Sequence, residues 1–164
     1  METVFIGLGS NLGNRGENLR KAIDALAPHV AVQKKSSIYE SRPQGVGPQP
    51  LFLNMVIMGE TTLLPLLLLG QLKKIEASLG RVENTHNLPR PIDLDIIFYG
   101  DTVMDMPELT IPHPRMHERA FVLAPLDEIN SFHMHPKLQK PVIDMLDELG
   151  DYSRDVWSLE DEQL

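Results

Sequence analysis

Two carboxylates, Asp93 and Asp95, stand two residues apart in the run Pro89-Arg90-Pro91-Ile92-Asp93-Leu94-Asp95-Ile96-Ile97-Phe98-Tyr99. The neighbours are strand formers, and Gly100-Asp101 closes the run as a turn. Side chains at i and i+2 leave the same face of a strand. Asp93 and Asp95 therefore look one way, and Ile92, Leu94 and Ile96 look the other. Two anions side by side in apolar surroundings are costly to ionise, so positive charge belongs between them. At about 3.3 Å per residue their backbone sites lie roughly 5–7 Å apart, which suits two hard divalent cations about 4 Å from each other. Arg90, fixed by a proline on each side, is a second candidate for that charge. The plain alternative is an edge strand with both acids in water. Apolar flanks and the adjacent arginine favour a metal and phosphate site.

Other residues fit phosphate or ring recognition. Arg81 and Arg90 bracket an aperiodic stretch that suits a loop closing over an anion. His113 sits between Pro112 and Pro114 on a restricted backbone, and with Arg119 makes a phosphate clamp. Asn54 is a polar amide among the strand formers Phe52 to Met58; it either satisfies backbone or reads a ligand's donor–acceptor pattern. The segment from Glu40 to Pro50, with Pro43, Gly45, Gly47, Pro48 and Pro50, suits a binding loop or a plain crossover. Gly7-Leu8-Gly9-Ser10-Asn11-Leu12-Gly13-Asn14 is not a phosphate-cradling Walker loop, because no Gly-Lys-Ser/Thr follows. His133-Met134-His135 lacks a third ligand and reads as structural. Glu76, late in a helix, reads as a solvated charge.

The elements that must position these residues follow from periodicity. Strands are expected over Glu2 to Leu8, His29 to Ser41, Leu51 to Glu60, the carboxylate run, and Thr102-Val103-Met104. Leu19, Ala22, Ile23 and Leu26 mark a first helix, capped by Asn14 or Asn18 and stopped at Pro28. A longer helix spans Leu64 to Leu79, with Pro65 in its first turn and Gly80 past its end. Glu118 to Ile129 and Pro141 to Leu149 read as helical. The 164 residues suit one domain, 1–164, with an acidic tail from about 151 that is expected to fray in part. A net charge of -8 argues against nucleic acid as a partner. The absence of cysteine fits a reducing, cytoplasmic setting. The first residues lack the basic start of a secretory signal, and the longest apolar run is too short for a membrane span.

Taken together, several stretches resemble the 6-hydroxymethyl-7,8-dihydropterin pyrophosphokinase family. They are Gly9-Ser10-Asn11-Leu12-Gly13, Tyr39-Glu40-Ser41, Phe52-Leu53-Asn54, Ile75-Glu76 with Gly80-Arg81, Pro89 to Ile97, Leu109-Thr110-Ile111-Pro112-His113, and Arg119-Ala120-Phe121. The resemblance implies a ferredoxin-like α+β fold, an antiparallel sheet with helices on its faces. It implies transfer of the β,γ-pyrophosphoryl group of ATP to the pterin's hydroxymethyl group, with release of AMP. It places two Mg2+ ions on Asp93 and Asp95, and makes Arg81 and Arg90 catalytic alongside them. ATP would also meet Lys73, Glu76, Ile96, Thr110, His113 and Arg119. The pterin would meet Ser41, Arg42, Pro43, Gln44, Gly45 and Asn54, with Phe52 and Phe121 on the faces of its ring. His86-Asn87-Leu88-Pro89-Arg90 stands where the family commonly has Arg-Trp-Gly-Pro-Arg, and Glu83 and Pro114 also depart from it, so closure of this loop is expected to differ. The implied partners are the two small substrates, for a monomer or weak dimer. The rivals are another two-metal nucleotide phosphohydrolase and a non-catalytic ferredoxin-like binding module.

Overall fold

The computed structural model describes residues 1–44, 47–82 and 88–159. The chain runs β1 (Glu2–Ser10), α1 (Arg15–Leu26), β2 (Ala31–Lys35), β3 (Tyr39–Ser41), β4 (Phe52–Thr61), α2 (Pro65–Ser78), β5 (Asp93–Tyr99), β6 (Met104–Asp105), β7 (Thr110–Ile111), α3 (Ala120–Asn130), α4 (Val142–Glu148) and β8 (Val156–Ser158). The main sheet is antiparallel in the order β5-β1-β4-β3-β8, with β2 pairing the far half of β4. β6 and β7 form a separate two-stranded ribbon. With β2 and β3 counted as one interrupted strand beside β4, β1 to β5 and the two helices make the βαββαβ core of the expected ferredoxin-like arrangement.

The local chemistry matches the elements. Asn14 caps α1 by accepting from Glu17 N. Pro65 occupies the first turn of α2, and Gly80 takes the positive φ of 98° that ends it. The strand expected over His29 to Ser41 is two strands. At the break, Ser36 N donates to Val56 O, Ser36 Oγ accepts from Val56 N, and Ser37 turns to the Glu128 carboxylate of α3. Side-chain bonds replace the ladder there. The helix expected from Glu118 begins instead as a 3-10 turn, Met116–Glu118, and becomes α-helical only at Ala120. The strand expected at Thr102 to Met104 is shifted to Met104–Asp105. Residues 156–158 of the tail expected to fray form β8, paired with β3.

The two faces of the sheet differ, and the difference makes the site. On one face Val4, Ile6, Leu8, Met55, Ile57, Leu94 and Ile96 pack against Leu19 and Leu26 of α1 and Leu68 and Leu72 of α2. On the other, α3 and α4 cover Phe5, Val56 and Phe98 with Leu123, Leu126 and Met145. Beyond Val56 that second cover stops. There β1 carries Gly7 and Gly9, which leave the middle of the sheet without side chains.

Candidate active site

The uncovered half of the second face is a cleft of about 450 Å³. Register fixes its layout. Gly9 lies between Asn54 of β4 and Asp93 of β5, and Gly7 between Val56 and Asp95. Asn54 and Asp93 are thus two strand spacings apart, about 10 Å. The floor between them is glycine: a β-carbon at Gly9 would come 3.4 Å from Asn54 Oδ1 and 3.5 Å from Phe52. Phe52 and Phe121 flank the opening. Arg90 lies over the Phe52 ring at 5.5 Å, and Arg119 over the Phe121 ring at 5.6 Å. Each ring therefore carries a cation on its face.

Asp93 and Asp95 share this face, as their spacing requires, while Leu94 and Ile96 are buried on the other. Arg81 Nη1 bridges Asp93 Oδ1 at 2.8 Å and Glu76 Oε2 at 2.7 Å, and Arg90 Nε lies 4.0 Å from Asp93 Oδ2. Glu76 is buried, not solvated: its Oε2 also accepts from Leu94 N at 2.8 Å. A helix carboxylate thus caps the open edge of β5 and holds Arg81 in place. Burial opposes the Arg81 charge, but Asp93, Glu76 and Asp95 raise its pKa on balance. Burial pushes the Asp95 carboxyl well up, with Asp93 and Glu76 adding to it and Arg119 and Arg81 opposing. A carboxylate so placed wants a cation.

His113 and Arg119 arrive by a separate route. Opposite Phe5 and Ile6 the register of β5 shifts, leaving Ile97 as an extra residue, and its carbonyl accepts from His113 N at 3.1 Å. The bulge thus hooks the Pro112-His113-Pro114 segment onto the acid-bearing strand. Burial, then Arg119, lowers the His113 pKa to about 4, with Asp93 opposing and Arg115 adding, so its imidazole is neutral at pH 7. Burial, then Arg115, also lowers Arg119. An arriving polyphosphate would relieve both.

Several expected residues lie elsewhere. Ile96 points into the opposite core, so only its backbone can reach a ligand from this face. Thr110 bonds to Asp105 within the ribbon, and Lys73 is exposed on α2. Arg42 turns away from the cleft, its Nε bonded to Arg154 O at 2.8 Å. Pro43 is half-buried and Gln44 exposed, and neither lines the cleft. Gly45 lies outside the described residues, as do Glu83, His86 and Asn87. Ser41 does join the site: its Oγ accepts from Asn54 Nδ2 at 2.6 Å, which turns Oδ1 toward the cleft. His133 packs its ring, tilted, against both Phe5 and Phe98, and His135 Nδ1 accepts from two backbone amides, so this pair is structural.

Asn11 was missed. It is buried, and its Oδ1 accepts from Arg90 N at 2.8 Å while its own N donates to Arg90 O at 3.1 Å. Its Nδ2 donates to Gln49 Oε1 and Pro50 O. One side chain therefore joins the end of the 42–50 segment to the arginine before the acid pair. The Gly-Ser-Asn run was the available signal, but its partners are remote in sequence.

Among the described residues, no group of three or more His, Cys, Asp or Glu side chains is arranged to hold a metal alone.

Residues 5–131 match the family model described as 7,8-dihydro-6-hydroxymethylpterin-pyrophosphokinase. A 2-amino-4-hydroxy-6-hydroxymethyldihydropteridine pyrophosphokinase of Aquifex aeolicus is 42% identical over 142 residues, 87% of this chain and 89% of that protein. The Bacillus subtilis protein of the same name is 46% identical over 128 residues, 77% of each chain. Among solved structures, a triple mutant of Plasmodium falciparum HPPK-DHPS shares the fold with a TM-score of 0.76 at 15% identity. The match covers 90% of this chain and 44% of that one, so the chain spans under half of that protein.

Proposed function

The chain belongs to the 7,8-dihydro-6-hydroxymethylpterin-pyrophosphokinase family, and from that premise we propose how its residues divide the work. The enzyme transfers pyrophosphate from ATP to 6-hydroxymethyl-7,8-dihydropterin, giving AMP and the pterin diphosphate in folate synthesis. Neither a nucleotide phosphohydrolase nor a non-catalytic module finds support.

Three acids, Glu76, Asp93 and Asp95, face three arginines, Arg81, Arg90 and Arg119, beside a neutral His113. The site is near charge balance by itself, whereas ATP brings about four negative charges; two Mg2+ ions restore neutrality. Asp93 and Asp95 would hold them. When bound, magnesium supplies charge neutralisation at the phosphate oxygens. Arg81, Arg90, Arg119 and His113 bind the polyphosphate and hold its β-phosphorus toward the glycine floor. Asn54, oriented by Ser41, reads the pterin edge, and Phe52 and Phe121 take the ring faces. Two strand spacings separate Asn54 from Asp93, which sets the hydroxymethyl oxygen over the acid side. That oxygen attacks the β-phosphorus and gives its proton to water, while the bond from the β-phosphorus to the α,β-bridging oxygen breaks and AMP departs with the electron pair. Catalysis here is positioning and charge stabilisation. Lys73, Ile96 through its backbone, and Thr110 would border the nucleotide base, away from the cleft. The 1–164 chain acts as one domain, a monomer or weak dimer, in the cytoplasm and without nucleic acid. No helix among the described residues is long and apolar enough to cross a membrane.

The row Asn54–Gly9–Asp93 carries this reading, because it sets an amide and the acid pair on either side of a bare floor. Asn54→Ala tests it. Pterin affinity should fall about 5–150-fold, the equivalent of about 1–3 kcal/mol for an unmet polar partner, with ATP-analogue affinity unchanged. Lost ATP-analogue affinity with intact pterin binding would overturn the map.

A further inference from the structure

The C-terminal strand lies beyond residues 5–131 that match the family model, yet it pairs with β3, the strand that carries Ser41 to Asn54. β3 has three residues and is held on one side by β4 and on the other by β8, with Glu40 opposite Trp157 and Ser41 opposite Val156. Trp157 Nε1 donates to Glu40 Oε1 at 3.2 Å. Glu40 Oε2 in turn accepts from Arg15 Nη1 at 2.8 Å, and the same Nη1 donates to Leu51 O at 3.0 Å. Arg42 N donates to Asp155 O at 2.9 Å, Arg42 Nε to Arg154 O at 2.8 Å, and the guanidinium lies 5.9 Å over the Trp157 ring. Arg42 and Leu51 are thereby tied to one cluster.

We infer that β8 is a positioning element for the pterin subsite, acting from Trp157 through Glu40 and β3 to the Ser41–Asn54 pair. The inference rests on the pterin reading of the cleft given above. A three-residue strand left as the sheet edge would be weakly held, and Ser41 Oγ would no longer fix which end of the Asn54 amide meets the cleft. The contacts of β8 run to β3 and to Arg42, on the amide side of the cleft, so the effect falls first on the pterin.

The chain has a single tryptophan, which makes the test direct. Trp157→Ala, Trp157→Phe and Asn54→Ala are compared with wild type by calorimetry for pterin with a non-hydrolysable ATP analogue, and by steady-state kinetics. Trp157→Ala should raise the pterin Kd and KM about fivefold, the scale of one lost hydrogen bond of about 1 kcal/mol, with ATP KM and kcat within about twofold. Trp157→Phe keeps a ring under Arg42 and should recover part of the loss. Unchanged pterin affinity in Trp157→Ala, beside weakened affinity in Asn54→Ala, overturns the role of β8 alone. Unchanged affinity in Asn54→Ala overturns the pterin reading and this inference with it. Should Trp157→Ala fail to fold, wild type labelled with 5-fluorotryptophan decides. Its one fluorine resonance should shift on adding pterin and stay put with the ATP analogue alone; a resonance unmoved by pterin overturns the inference.

Discussion

Replacing Glu76 by glutamine removes a charge and keeps the shape. In the wild type a single oxygen, Glu76 Oε2, accepts both Leu94 N at 2.8 Å and Arg81 Nη1 at 2.7 Å. A glutamine oxygen can accept both. What is lost is attraction to Arg81; what is relieved is burial of a carboxylate and its repulsion of Asp93 and Asp95. Burial raises the Glu76 pKa above the ordinary 4.5, and although Leu94 N, Arg81 and Lys73 pull it down while Asp93 adds to the rise, the net direction is up. The sign of the linkage follows. A raised pKa means the favourable contribution is complete below about pH 4.5 and is lost as pH rises through the folded-state value. Glu76→Gln should therefore match wild type below about pH 4.5 and be more stable at pH 8, by about 1.4 kcal/mol for each pH unit that separates the folded and unfolded values, since Arg81 keeps Asp93 as its anion and is not left as an unpaired buried charge. Urea unfolding at the two pH values measures the difference. Glu76→Leu is the counter-control: it leaves Leu94 N–H without its acceptor and should cost about 1–3 kcal/mol. ATP affinity should fall severalfold in Glu76→Gln, because Arg81 keeps one anionic partner instead of two. A glutamine variant less stable than wild type by over about 1 kcal/mol at pH 8 would refute the reasoning, since attraction would then outweigh burial.

Asp95→Asn should abolish magnesium-dependent turnover while melting no lower than wild type, because it removes a carboxyl that burial disfavours; turnover near normal would remove its metal role. Asn11→Ala should lower stability by about 1–3 kcal/mol and raise KM for both substrates, since Asn11 joins both segments; a rise for only one would deny that coupling. Gly9→Val should block pterin binding and spare the ATP analogue in titration calorimetry; unaltered pterin affinity would show that the ring does not lie over this floor.

The sequence disclosed what local pattern can encode. The i, i+2 spacing put Asp93 and Asp95 on one face, and alternation put Leu94 and Ile96 on the other. Asn54 stood out as an amide among strand formers and proved to line the cleft. Residues whose roles depend on remote partners were harder. Glu76 looks solvated by helical position, yet Leu94 N and Arg81 bury it. Asn11 sits in a turn-rich run, and its partners Gln49, Pro50 and Arg90 are far along the chain. The split between β2 and β3 turns on Ser36, whose hydroxyl and amide take over from the ladder; two serines inside an alternating run do not announce that. β8 was hidden by acidic flanks, because an edge strand needs a partner more than an apolar pattern. Ile96 is the reverse case, where motif resemblance assigned a contact and strand parity turned the side chain away.

The glycine pair on β1 also bears on drug resistance. An inhibitor resting flat on Gly7 and Gly9 touches backbone where any new side chain would rise into the space the ligand occupies. Added atoms would meet Ile97 at 3.3 Å over the first glycine and Asn54 at 3.4 Å over the second. A bulkier residue that expels the drug would crowd the natural ligand from the same surface, so escape mutations are pushed to the rim, where compounds make the contacts most easily redesigned.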